Sequence, residues 1–230
     1  MGDFIHTSSA WVQGLSEAVC SRLKSYRAHE HIDGEDSPWL FMGLVCTAVF
    51  LLMVLLMGWF WSAEPEPFDV EAHAMAQNER MVGGSTSTAA LIGVMDTLLS
   101  KRGGYLSNDV APPGVWLDNI PSWEYGVIIQ VRDFSKALRE AFSRSQSQSA
   151  EDADLALAES RFNFDHNSWM VPATESEYRD GVEYLQGYLA RLNDDGEYGA
   201  QFYARADNLR YWLGTLETRL GSLSQRLSAS

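Results

Sequence analysis

The chain has 230 residues, of which 31 are acidic and 17 basic, for a formal net charge of −14, and it contains only two cysteines. After Ser62, 25 acidic residues face 14 basic ones, a net −11, which argues against nucleic acid or anionic lipid as a ligand of that part. Cys20 and Cys46 both precede Ser62, so no disulfide can staple the chain beyond it, and the stability of that part must come from packing alone.

Residues 1–38 read as a cytoplasmic segment. Ser9 can cap a short helix carrying Trp11, Leu15, Val19 and Leu23 at helical spacing, with Arg22, Lys24 and Arg27 beside its end. Two readings stay open here: a basic amphipathic helix on the inner leaflet, or a poorly ordered tail. His29-Glu30-His31 has no further ligands nearby and is not read as a metal site. No cofactor and no metal are expected anywhere in the chain.

Trp39 to Trp61 (WLFMGLVCTAVFLLMVLLMGWFW) has neither charge nor proline. A helix of that length reaches roughly 35 Å at 1.5 Å per residue, enough to cross a hydrocarbon core of about 30 Å. A cleaved signal peptide would start closer to the N-terminus and end in small residues, so residues 39–61 are predicted to be a permanent single-pass transmembrane helix. Tryptophans at both ends suit the two interfaces, and Gly43 with Thr47 gives only a weak small-xxx-small pattern. Arg22, Lys24 and Arg27 precede the span, while the first basic residue after it is Arg80, which predicts a cytoplasmic N-terminus and a translocated C-terminal domain. That domain has no Asn-x-Ser/Thr sequon and no cysteine, a combination that fits a bacterial periplasm.

Residues 62–85 are predicted to be a spacer and short helix. Glu64-Pro65-Glu66-Pro67 is stiff and extended and is expected to hold the domain off the membrane, with a helix over 69–81. Residues 86–230 are predicted to form an α-helical domain. Thr86 or Ser87 is the expected cap of a helix carrying Leu91, Met95, Leu98 and Leu99, stopped after Lys101-Arg102 by Gly103-Gly104.

Tyr105 to Pro121 (YLSNDVAPPGVWLDNIP) contains three prolines and is predicted to be one long ordered loop. Tyr105, Asn108, Asp109, Trp116, Asp118, Asn119 and Trp123 are the candidate binding residues, a polar cluster among aromatics. The plainer alternative is a loop packed down by its aromatics, with Asp and Asn serving turns and caps. Beyond it, Ser122 is the expected cap of a helix to about Arg144, followed by a Ser/Gln connector, Ser143 to Ser149, and a helix starting at Ser149–Asp152 and ending near Phe162. Thr174-Glu175-Ser176-Glu177 has capping-box form ahead of a stripe of Tyr178, Val182, Leu185, Leu189 and Leu192.

The last helix carries Phe202, Ala206, Leu209, Leu213, Leu216, Leu220, Leu223 and Leu227 in alternating steps of four and three. Packing against the Tyr178–Leu192 stripe is the favoured explanation, with a homo-oligomer through the Phe202 to Leu227 stripe as the other. No stop signal follows Leu227, and the helix is expected to run on in a longer chain.

Gly103-Gly104-Tyr105-Leu106-Ser107-Asn108-Asp109, Pro112-Pro113-Gly114, Leu117-Asp118-Asn119-Ile120-Pro121, Trp123-Glu124 and Gln130-Val131-Arg132-Asp133 together resemble a family of bacterial membrane-anchored proteins, domain of unknown function 2333. The resemblance runs from the anchor onward. It implies a proteobacterial inner-membrane protein and supplies no activity and no catalytic residues.

The sequence therefore predicts an all-α protein: a single N-terminal transmembrane helix and a helical-bundle periplasmic domain with one long loop. Cysteine nucleophiles are absent after Ser62, and a Ser/His/Asp set would have only His73 or His166 to use, with no G-x-S-x-G elbow. No catalytic residue is assigned. The favoured function is an interaction or scaffold protein of the cell envelope, with the lipid bilayer and another envelope protein or membrane complex as partners and no nucleic acid. The alternative is a cell-wall-acting glycan hydrolase using Glu124, which sits beside Trp123 and Tyr125.

Overall fold

The computed structural model describes Ser21 and residues 38–77, 81–145, 150–194 and 199–229. Among the described residues the regular structure is seven α-helices, with no strand. Residues 29–31 and most of the N-terminal segment fall outside them, and so does Ser149.

Helix α1, Pro38–Trp61, is apolar on every side and long enough, about 36 Å over 24 residues, to cross a membrane. Only Gly58 is buried in it. The chain divides into two compact units at Leu51/Leu52. Among the described residues the first holds only Ser21 and the first turns of α1; the end of α1 and every later helix belong to the second.

The expected stand-off at Glu64–Pro67 does not separate the end of α1 from the domain. A Cβ on Gly58 would lie 3.3 Å from the Pro113 side chain, and one on Gly103 only 2.8 Å from the Trp61 ring. Gly103 also has a φ of +84°, so close approach and backbone conformation both call for glycine there. The Arg102 guanidinium lies 5.1 Å over the Phe60 ring. Two prolines stiffen the following segment, but they carry the chain around a contact that residues 58–61 have already made.

Asp69 starts α2, Val70–Gln77, by accepting the Glu71 and Ala72 amides. Helix α3, Ser85–Ser100, begins one residue before Thr86. Neither Thr86 nor Ser87 caps it; Gly84 precedes it with φ +90°, and the Ser85 hydroxyl ties back to Val82. Helix α4, Asn119–Ala137, starts three residues ahead of Ser122. Pro121 fits its first turn because that amide would have no helical partner anyway. It runs on into a wide π turn, Leu138–Phe142.

Helix α5, Ala153–Phe162, is capped by Asp152, whose carboxylate accepts the Asp154 and Leu155 amides. Helix α6, Thr174–Leu192, lacks the capping box that its sequence advertises. The Thr174 hydroxyl donates to Asp165 and Ser168 carbonyls, and Glu177 is drawn to Arg161. Side chains in reach of a neighbouring segment gain more there than from local amides.

The core joins α3 (Ile92, Met95, Leu98), α4 (Ile128, Val131), α5 (Leu155, Phe162) and α6 (Tyr178, Leu185, Tyr188), all buried. The stripe on α6 packs against α5 and α3 and is fully used there. Helix α7, Ala206–Ser228, expected against that stripe, instead leans on α4. Its seat is Trp212 on Phe134, 4.7 Å between ring centres, a two-pronged Arg219–Asp133 pair at 2.6 and 2.8 Å, and Tyr211 on Glu140 at 2.9 Å. No residue of α7 is buried.

A Cβ on Gly181 would meet the Phe162 ring at 2.6 Å, whereas one on Gly126, in exposed α4 helix, would meet nothing within 4 Å. Gly181→Ala is expected to destabilise by about 1–3 kcal/mol through overpacking, and Gly126→Ala to stabilise by about 0.5–1 kcal/mol by restricting the unfolded chain. Thermal unfolding of the two variants checks this, and their Tm shifts should have opposite signs.

Candidate functional site

The loop after α3 is held from beneath by a buried ion pair. Lys101 Nζ stands 2.5 Å from Glu124 Oε1, and both side chains are 1% exposed or less. Glu124 Oε1 also accepts the Leu106 amide at 2.8 Å, and Oε2 accepts the Ser107 amide at 2.7 Å and the Ser107 hydroxyl. Lys101 additionally donates to the Gly104 carbonyl. A carboxylate stripped of water is tolerable only when its lone pairs are filled in this way.

From that base the loop reaches a second irregular segment, residues 163–173. The Tyr105 hydroxyl donates to the His166 carbonyl at 2.7 Å, and burial pushes this phenol above its ordinary value. Asn108 donates to the Ser168 carbonyl at 3.0 Å and to Glu175 Oε2 at 2.7 Å. Arg132 of α4 donates to the Phe162 and Phe164 carbonyls, both at 2.7 Å, and steadies the same segment from the other side.

Tyr105 and Asn108 of the predicted set therefore meet around one network, and Asp109 lines the cleft next to it. Trp123 is half-buried against the core, Asp118 and Asn119 sit exposed at the start of α4, and Trp116 is 62% exposed on a short 3-10 turn, Gly114–Trp116. A cleft of about 300 Å³ opens between the two segments, lined by Asn108, Asp109, Val110, Trp169, Glu175 and Trp61. Lys101, Ser107, Trp169 and Glu175 join the site without a signal in the sequence. Lys101 has the look of a helix-ending cation, and nothing in local spacing links it to Glu124.

Burial, with Glu175 and Glu124 nearby, holds the Asp109 carboxyl above the usual carboxylate range, and Lys101 only partly offsets this. Glu124 has no exposed side-chain surface and its oxygens are filled from inside the protein, so it offers no proton to a glycan oxygen. It fixes the loop to α4. Among the described residues no three His, Cys, Asp or Glu side chains gather as a metal-ligand set.

The family model for an uncharacterised protein conserved in bacteria, DUF2333, matches residues 34–230, and the chain belongs to that family. No curated protein and no solved structure matches the chain.

Glu124→Gln is expected to cost about 3–5 kcal/mol because it strands a buried Lys101. Adding Lys101→Met should recover part of that loss, since Gln still accepts a loop amide, and chemical denaturation of the two single variants and the double variant measures the coupling. Asp109 binds its proton more tightly folded than unfolded, so its contribution to stability falls as pH rises through the raised value. Asp109→Asn is expected to raise the Tm at neutral pH, with the gain shrinking on acidification towards pH 4, near the ordinary carboxylate value.

Proposed function

We propose that this family member is a membrane-anchored interaction protein of the bacterial inner membrane, with a cytoplasmic N-terminus and a periplasmic helical domain that assembles through α7. The observation that carries the reading is the leucine face of that helix. Leu209, Leu213, Leu220 and Leu223 are 45–65% exposed along it. Contiguous apolar stripes of this kind mark interaction sites more often than idle surface. The hydrolase alternative has lost its proton donor, because Glu124 is fully engaged inside the fold.

Charge points to a second copy of the chain as the occupant. In heptad terms Leu213 and Leu220 take the first core position, Leu209, Leu216 and Leu223 the second, Arg210 and Glu217 flank one side, and Arg205, Trp212 and Arg219 the other. Arg219 is occupied by Asp133, and Arg205 lies over Tyr203. Arg210 and Glu217 are exposed, one per flank turn on the open side. A parallel pair would set Arg205 against Arg210 of the other copy. An antiparallel pair that layers Leu213 on Leu216 and Leu209 on Leu220 brings Arg210 to Glu217 twice, by symmetry.

Sedimentation of the full chain in detergent micelles tests this. Wild type is expected to dimerise, Arg210→Glu or Glu217→Arg to weaken the dimer roughly tenfold, and the double exchange to restore it. Leu213→Asp, at a half-exposed site, should leave a folded monomer. A wild-type chain that stays monomeric, or a double exchange that restores nothing, removes the self-assembly reading. Alkaline extraction of membranes separately checks the anchor, which should remain in the pellet.

A further inference from the structure

Beside exposed Asn163, Asp165 and Asn167, the two irregular segments hold several large apolar side chains out from the fold. Asn108 and Glu124 are buried in the network, while Val110 is 61%, Val115 53%, Trp116 62%, Trp169 59%, Met170 62% and Val171 100% exposed. These residues come from distant parts of the chain. Val110 and Trp169 nevertheless line one cleft, together with Trp61 at the end of α1.

The place of Val115 and Trp116 along α1 is set by contact. Gly58 is buried against Pro113 and Leu117, the neighbours of Val115 and Trp116, and Gly103 lies against Trp61. Gly58 is three residues, about 4.5 Å along the axis, inside the last residue of a helix long enough to span a bilayer. Any bilayer that ends at Trp61 also reaches the level of the 112–117 turn. Tryptophan and aliphatic side chains are favoured at such an interface, and an arginine stacked on an aromatic ring can hold its charge among headgroups, as Arg102 does over Phe60.

We infer that Val110, Val115, Trp116, Trp169, Met170 and Val171 form a platform that inserts into the headgroup region of the membrane holding α1, seating the domain directly on the bilayer. The occupant is lipid because the patch continues an apolar surface that the end of α1 already presents. The platform residues themselves are uncharged and Arg102 stacks on Phe60 at the end of α1, while Asp118 and Asp165 beside the same two segments are exposed, so the lipid that fits is zwitterionic and not anionic. The inference rests on α1 being a membrane span, and the experiment separates the two.

In a Cys20→Ser/Cys46→Ser background, single cysteines replace Val171, Trp116, Val49 in the middle of α1, or Glu183 on the exposed side of α6. Each full-length variant carries an environment-sensitive fluorophore and is reconstituted into phosphatidylethanolamine/phosphatidylcholine vesicles with and without a lipid-borne quencher. All four sites are exposed on the protein, so folding is not put at risk. The expected result is a blue shift and loss of emission at 171, 116 and 49, with none at 183. Quenching at 49 while 171 and 116 behave like 183 overturns the platform and leaves the anchor standing. No quenching at 49 removes the anchor, and the platform with it.

Discussion

A single carboxylate, Glu124, ties three parts of the second unit together. It sits in the first turns of α4, takes the ammonium of Lys101 at the end of α3, and fills its remaining lone pairs with the amides and hydroxyl of residues 106 and 107. Removing two charges from water is costly, and the pair offsets that cost only while every hydrogen bond is in place. The geometry is therefore sharply defined: a loop that drifted by an ångström would leave a buried charge unpaired. Tyr105 and Asn108 inherit that precision, and through them the 163–173 segment and the start of α6 are set. A long loop with three prolines behaves in consequence as part of the framework.

The helices are legible in the sequence because their apolar periodicity is strong and their neighbours supply matching faces. The stripe from Tyr178 to Leu192 and the basic-then-glycine ending at Lys101–Gly104 are both visible in the sequence and both present in the fold. Helix starts are less legible. Ser122, Thr174 with Glu177, and Thr86 all have the right chemistry for a cap, yet each loses to a longer-range partner or to a start set by the backbone a residue or more earlier. Local amides are worth about 1 kcal/mol to a capping side chain, so a carbonyl of a neighbouring segment or an arginine on the adjacent helix competes with them. The neighbour of α7 is hidden for a related reason: periodicity says that a helix has an apolar face without saying what covers it.

At the candidate site the residue types are legible and their roles are not. Asn, Asp, Glu, Trp and Tyr concentrated in one loop have the composition of a ligand site. The fold splits that composition, sending Asn108 inward to Ser168 and Glu175 and Glu124 inward to Lys101 and residues 106 and 107, and leaving Trp116, Asp118 and Asn119 outward. Which way each side chain turns depends on Lys101, Ser168 and Glu175, and those lie in other elements. Sequence spacing carries no trace of such pairings, because they arise only once α3, α4 and α6 have packed.

Direct packing at the end of α1 also changes what the exposed leucines of α7 can do. A half-exposed leucine face with one pair of complementary charges gives modest affinity in free solution, because association must first overcome lost translational and rotational freedom. Confinement to a membrane removes much of that cost by raising the effective concentration, as a short linker does between two tethered modules. A flexible stalk would give part of the gain back, since each domain would sample many orientations. Here Gly58 and Trp61 press on Pro113 and Gly103, so residues 58–61 and the loop form one packed piece. On the self-assembly proposed above, packing of that kind lets an interface stay small and still be specific, and it gives a helix with no buried residue of its own enough to serve as the contact face.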